Sequence, residues 1–221
     1  MRAGAGLIEI GVPFSDPVAE GPVIQGANLR ALASGATTEG IFRLVESVRA
    51  ETEVPIVLLT YLNPVFRYGY EAFLDRCRAV GVDGLILPDL PFEEKHELSD
   101  LAAARGVDLV SLIAPTSRER IRTIAREATG FLYLVSSMGV TGVRGEITTD
   151  LAAMISAVRE ASDVPVAVGF GISTPEQARE ISKLADGVIV GSALVKLVER
   201  HGDHAGPYLY EYAKELAGAL E

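Results

Sequence analysis

Glu9 lies between two isoleucines in the stretch Leu7-Ile8-Glu9-Ile10-Gly11, and two more acids, Asp16 and Glu20, follow in a loop rich in glycine and proline. Strand alternation puts Ile8 and Ile10 on one face and Leu7, Glu9 and Gly11 on the other. With the isoleucines packed against helices, Glu9 points inward from its strand. Burying an ionised carboxylate is costly, so the pKa of such a group is expected to rise, leaving a carboxyl able to give or take a proton. An ion-paired core acid is the structural alternative, but no strand in the sequence offers an obvious Lys or Arg partner. Asp16 precedes Pro17 and can shape a turn. Glu20 precedes Gly21 and Pro22 and can be solvated. Either can be the second member of an acid–base pair, since no histidine is suitably placed for that work. Asp89, in Leu-Pro-Asp-Leu-Pro, is a further candidate, and Tyr133, in Phe-Leu-Tyr-Leu-Val-Ser, can offer a hydroxyl or simply fill the core.

The elements that must position these groups alternate along the chain. Short β-branched runs are predicted as strands at residues 7–11, 55–59, 84–87, 108–113, 131–136, 165–169 and 187–190. Helical periodicity separates them: Ile41, Leu44, Val45 and Val48 share one face, as do Leu151, Met154, Ile155 and Val158. Thr116 to Glu119 reads as a capping box, and Thr174 to Gln177 as another with proline at the first helical position. Gly81 and Gly106 read as helix terminators. No linker, low-complexity segment or shift in composition interrupts residues 1–221, so a single domain is expected. Repeated βα units with short connections imply a parallel sheet buried on both faces, either doubly wound or closed into a (β/α)8 barrel. No dinucleotide-type glycine fingerprint follows the first strand, and strands recur steadily to the C-terminus, which favours the barrel. A barrel needs eight strands and typically ~250 residues, whereas seven strands are visible in 221 residues. The first βα unit is expected to be missing.

Glycine-rich turns after the last two strands suggest an anion site. The segments Val-Gly-Phe-Gly-Ile-Ser and Val-Ile-Val-Gly-Ser-Ala place Gly171, and then Gly191 with Ser192, where backbone N–H groups can meet a phosphate. Either glycine alone could simply make a tight turn; two such turns on adjacent strands favour phosphate. A longer loop after the preceding strand, Ser136 to Thr148, reads as a lid in which Gly142 can add an amide and Arg144 a charge.

Composition narrows the partners. A formal net charge of -10 argues against nucleic acid and anionic membranes, and no apolar run approaches the length of a membrane span. Cys77 shares a helical face with Phe73, Leu74 and Val80 and reads as a core residue. A single cysteine permits no intrachain disulfide, consistent with a cytoplasmic setting. His96, His201 and His204 are expected on the surface, and no metal-ligand cluster is visible.

Across essentially its whole length the chain resembles the tryptophan synthase alpha-chain family. The resemblance is carried by LIEIGVPFSDPVAEGPVIQGA, YLNPVFRYG, GLILPDLPFEE, APTS, YLVSSMGVTGVRG, VGFGIS and GVIVGSALVK, in that order. It implies a barrel that cleaves indole-3-glycerol phosphate to indole and glyceraldehyde 3-phosphate by a retro-aldol reaction, with no metal or organic cofactor of its own. By the resemblance, Glu9 is the acid–base acting on indole C3, and Glu20 the acid that meets the indole N–H. Tyr133 matches a tyrosine close to the substrate. Gly142, Gly171, Gly191 and Ser192 match phosphate-binding positions, with Phe170 and Ile189 nearby. Leu59 and Tyr61 match the indole pocket region. The implied partner is the beta chain, a pyridoxal-phosphate enzyme that receives indole, in an alpha2-beta2 tetramer; Asp16 and Pro17 fall in the loop that communicates with it.

Two departures from the pattern stand out. The family has aspartate at the position of Glu20, and the extra methylene moves the carboxylate by roughly 1–1.5 Å, a misplacement of the order that can cost ~100-fold in rate. The front of the barrel is also absent, so a truncated chain or a misassigned start is expected. Alongside the lyase, two other functions fit less of the sequence: a non-catalytic chain that binds and activates the beta chain, and another phosphate-handling barrel such as a sugar-phosphate isomerase. Glu9, the segment that follows it and the glycine-rich lid argue against the last.

Overall fold

The computed structural model describes residues 2–135, 151–169 and 171–220. They divide into two compact units. The first comprises Gly6–Ala19 and Gln25–Val110; the second comprises residues 2–5, Glu20–Ile24 and the chain from Ser111 onward.

In the first unit β1 (Ile8–Gly11) is followed by α1 (Pro22–Ala33), whose first turn belongs to the second unit, then α2 (Thr38–Arg49), β2 (Ile56–Leu59), α3 (Leu62–Tyr68), α4 (Tyr70–Val80), β3 (Gly84–Ile86), α5 (His96–Ala103) and β4 (Asp108–Ile113). The strands pair in parallel in chain order, with Glu9 opposite Val57, Leu59 opposite Gly11 and Ile86, and Gly84 opposite Asp108. Between sheet and helices lies a core that includes Phe42, Val45, Ile56, Leu58, Phe73 and Leu74, against which Ile8 and Ile10 pack. The alternation that turns the two isoleucines toward this core turns Glu9 to the opposite face. Leu44, expected on the buried face of its helix, is 46 % exposed. It lies one residue step, about 100°, from Val45, and Phe42 takes the inward position instead.

In the second unit come α6 (Arg118–Arg126), β5 (Leu132–Val135), α7 (Leu151–Arg159), β6 (Val166–Gly169), α8 (Pro175–Ser182), β7 (Gly187–Val188), α9 (Ser192–His201) and α10 (Gly206–Gly218). The C-terminal half of β4 pairs with β5, which pairs with β6, and β6 with β7, all parallel. Leu151, Met154, Ile155 and Val158 are all buried on α7, as their period predicts. The Thr174–Gln177 capping box is present with Pro175 in the first turn. The other expected box does not form: Ser117, not Thr116, is the N-cap, accepting from the Arg120 N–H, which puts Arg120 where a box needs Glu or Gln. Both residues are hydroxylic, and sequence alone does not say which adopts the extended backbone that a cap requires.

Candidate active site

On β1, Glu9 is half-buried as a residue, but its Oε2 is sealed from solvent and meets no hydrogen-bond partner among the described residues. Loss of hydration on burial pushes its carboxyl up from 4.5 to about 7. The expectation from the isolated charge in an apolar strand is met. A carboxyl that titrates there is protonated in a large fraction of molecules at neutral pH and can serve as acid and then as base.

Beyond β2, Tyr61 is only 3 % exposed. Its ring packs against Phe14, centroids 5.3 Å apart, and its hydroxyl accepts from the Ala19 N–H at 3.0 Å. The phenol therefore holds the backbone immediately before Glu20, a task that sequence reasoning did not foresee. Glu20 itself is 5 % exposed, one of the few buried charged side chains described; the solvated alternative is not realised. Leu59, at the end of β2, is partly buried and its carbonyl accepts from the Val12 N–H at 2.9 Å.

Asp89 is not a free acid. Both of its carboxylate oxygens accept from the Leu62 N–H, at 3.0 and 3.1 Å, where α3 starts without a capping side chain of its own. An N-cap supplied from a neighbouring strand end does the work a Ser or Asp at position 61 would otherwise do. Asp16 is exposed and lines an open cleft of about 720 Å³ in the first unit with Phe14, Ser15, Thr38, Asn63, Pro64, Arg67 and Tyr68. Pro17 follows it, half-buried.

In the second unit Tyr133 is 8 % exposed on β5, and its ring lies against Gly169 of β6. A Cβ at Gly169 would fall 2.3 Å from the phenolic oxygen, so glycine is required there for the ring to lie as it does. A glycine inside a strand often marks such close approach, and that was the available signal. Gly171 has φ +91°, a conformation that favours glycine. Ile189 continues β7, donating its N–H to the Val168 carbonyl at 2.8 Å. Gly191 precedes α9 as its N-cap, with no side chain closing the cap, and Ser192 opens the helix. A Cβ at Gly191 would meet nothing within 4 Å. Gly142 and Phe170 lie outside the described residues.

Residues 1–219 match the profile of the tryptophan synthase alpha chain. The chain belongs to the tryptophan synthase alpha-chain family. It is 50 % identical over 220 residues to the tryptophan synthase alpha chain of Lacticaseibacillus casei, covering all of this chain and 83 % of that one. To the alpha chain of Citrifermentans bemidjiense it is 54 % identical over 221 residues, covering all of this chain and 82 % of that one. Among solved structures, tryptophan synthase from Mycobacterium tuberculosis superposes with a TM-score of 0.90 at 37 % identity, covering 99 % of this chain and 82 % of that one. The tryptophan synthase a2b2 complex of Pyrococcus furiosus superposes with a TM-score of 0.85 at 38 % identity, covering 97 % and 86 %. The seven parallel strands are thus those of a (β/α)8 barrel. Like the rest of the tryptophan synthase alpha-chain family, this chain is a carbon–carbon lyase of tryptophan biosynthesis, cleaving indole-3-glycerol phosphate to indole and glyceraldehyde 3-phosphate.

Other reactive groups fall away. Burial pushes the Cys77 thiol up to about 12, so it is a core residue and no nucleophile at neutral pH. His96 and His204 are exposed, whereas His201 is half-buried and stacks on Tyr208, centroids 3.7 Å apart, a ring contact that its polar surroundings in the sequence concealed. Among the described residues no group of three His, Cys, Asp or Glu side chains could hold a metal, and no helix is long and apolar enough to cross a membrane.

Proposed function

We propose that Glu9 is the general acid and base of the retro-aldol cleavage and that Glu20 supports the positive charge on indole. The neutral Glu9 carboxyl delivers its proton to indole C3, leaving an indoleninium whose N–H faces the Glu20 carboxylate. The bond from C3 to the glycerol carbon then breaks, its electron pair returning to the ring. The carbinol hydroxyl gives its proton to the Glu9 carboxylate as the aldehyde forms, so Glu9 ends protonated and the proton count is unchanged. In this reading Leu59 and Tyr61 belong to the indole pocket region, Tyr133 lies close to the substrate, and Gly142, Gly171, Gly191 and Ser192 hold the phosphate, with Phe170 and Ile189 nearby. The protein's part in each step is a proton transfer or a charge stabilisation, so in this reading the chain needs no metal or organic cofactor of its own.

The observation that carries the reading is the sealed, unpartnered Oε2 of Glu9 with its carboxyl raised to about 7. The partner is the beta chain, which holds the pyridoxal phosphate, in an alpha2-beta2 assembly; the Pyrococcus furiosus relative is an a2b2 complex. The open cleft beside Asp16, together with Val18 at 72 % and Phe66 at 66 % exposure, supports docking on the first unit through the loop of Asp16 and Pro17. That β4 pairs within both units supports reading residues 1–221 as one domain. A reducing cytoplasm suits a chain whose lone cysteine is buried.

The test is indole release from indole-3-glycerol phosphate as a function of pH, with and without beta chain, in the parent chain and in Glu20→Gln and Glu20→Asp. The parent kcat/KM is expected to fall as pH rises through about 7, because the proton donor is lost. Glu20→Gln is expected to lower kcat by about 100-fold, with Glu20→Asp retaining activity. A flat profile between pH 6 and about 8.5, or full activity in Glu20→Gln, would remove these roles.

A further inference from the structure

The turn that carries Gly171 leads from β6 into α8, and two different helices hold it. From α8 the hold is on N–H groups: Gln177 Oε1 accepts from the Ser173 N–H at 2.8 Å and the Thr174 N–H at 3.2 Å, while the Gln177 N–H donates to Thr174 Oγ1 at 3.2 Å. Between Gly171 and Ser173, Ile172 is buried, 4 % exposed. From α10 comes the hold on a carbonyl. Tyr212, 39 residues further along the chain, donates its hydroxyl to the Ser173 carbonyl at 2.8 Å. The same helix is tied to α9 in its first turn, where Tyr208 stacks on His201. The two glycine turns at the ends of β6 and β7 are thus connected, through α8 and α9, to one C-terminal helix.

We propose that Tyr212 is a positioning residue for phosphate binding: by holding the Ser173 carbonyl it fixes the turn of Gly171 against the substrate phosphate. The inference rests on the phosphate assignment above. Backbone amides bind an anion only as well as they are aimed, because no side-chain rotation can correct them. The α8 capping box fixes the peptide N–H groups after Gly171, but a cap alone leaves the turn free to pivot about the helix end. A bond to the carbonyl of the same segment, made from a different element, removes that pivot. Burial, with the Glu215 charge adding to it, raises the Tyr212 pKa, so the phenol stays a donor throughout the working pH range.

Tyr212→Phe removes only the hydroxyl. The KM for indole-3-glycerol phosphate is expected to rise about three- to tenfold while kcat stays within about twofold. Affinity for glyceraldehyde 3-phosphate weakens in parallel and affinity for indole does not. Tyr210→Phe, an exposed tyrosine on the same helix, changes none of these. An unchanged KM in Tyr212→Phe, with or without a lowered melting temperature, makes the bond merely structural and overturns the proposal, as does equal weakening of both products. Gly171→Ala, strained at its φ of +91°, probes the turn itself. A raised KM there beside an unchanged KM in Tyr212→Phe overturns only the role of Tyr212; an unchanged KM in both overturns the phosphate assignment as well.

Discussion

The two units anchor the starts of β2 and β6 with the same device and finish them with different chemistry. Arg49 closes α2 and Arg159 closes α7. Seven residues on (49 to 56, 159 to 166), Ile56 and Val166 open β2 and β6, each after a Val-Pro pair. Asp83 Oδ2 accepts the Ile56 N–H at 2.7 Å and pairs with Arg49; Asp186 Oδ2 accepts the Val166 N–H at 2.7 Å and pairs with Arg159. Even the turns agree, with Thr52 Oγ1 accepting from Val54 N–H and Ser162 Oγ from Val164 N–H. At the opposite strand ends the likeness stops. The first unit supplies side chains: Tyr61 and the capping Asp89 beyond the strand ends, and Glu9 within β1. The second supplies glycine at 171 and 191, with Tyr133 packed on Gly169. Strand starts meet the same requirement in both units, namely a partner for an orphan N–H, so they share a solution. Strand ends are free to differ, and the proposed reaction needs proton transfer from one and anion binding from the other.

The largest expected effect tests that division directly. Glu9→Gln keeps the volume and removes the titratable proton, so kcat is expected to fall about 10²- to 10⁴-fold with little change in KM, measured as indole release. Relative to the parent, the same variant is expected to gain stability with rising pH. A raised pKa means that the unfolded chain ionises near 4.5 and the folded chain only near 7. The parent therefore loses stability across that window and stays penalised above it, by at most roughly 3 kcal/mol. Urea midpoints of parent and variant should coincide below the window and separate above it. A KM-dominated loss in Glu9→Gln would break the comparison.

The second unit is expected to show the opposite split. A Cβ at Gly191 meets open space and φ there is −113°, so Gly191→Ala is accommodated by the fold. Its melting temperature should match the parent, while KM rises about tenfold through interference with the incoming phosphate. Glu20 is grouped with the second unit, yet its substitution is expected to act on kcat.

Much of this was legible in the sequence where the signal is local. β4 runs over the predicted residues 108–113, and the other strands fall within one or two residues of expectation. The raised pKa of Glu9 follows from one charge in an apolar alternating strand. What escaped was pairing across long sequence separations. Asp89 had the composition of a candidate acid, and nothing in Leu-Pro-Asp-Leu-Pro says that it caps a helix 27 residues earlier. Tyr61 matched the indole pocket region, and no spacing rule gives its hydroxyl to Ala19. Tyr212 carried no signal at all, because a tyrosine in an amphipathic C-terminal helix reads as packing.

The strand-start device admits a smaller test. Removing the acceptor in Asp83→Ala leaves the Ile56 N–H without its carboxylate, at a cost of about 1–2 kcal/mol. Asp186→Ala should cost less, since Arg49 also holds the Thr52 and Val54 carbonyls and its clamp is the more extensive of the two. Charge is separated from hydrogen bonding by Asp186→Asn. The Val166 N–H, with Arg159 adding, holds the Asp186 carboxyl below its usual range. A depressed carboxylate contributes stability above its unfolded pKa, near 4, and that contribution disappears as pH falls through the lower folded value. The deficit of Asp186→Asn should therefore be fully present at about pH 6 and shrink below about pH 4. With the pair nearly half-exposed, the deficit at neutral pH should stay under about 1 kcal/mol. A deficit independent of pH would mean that Asp186 acts through shape alone, and that the two strand starts share a geometry without sharing its electrostatics.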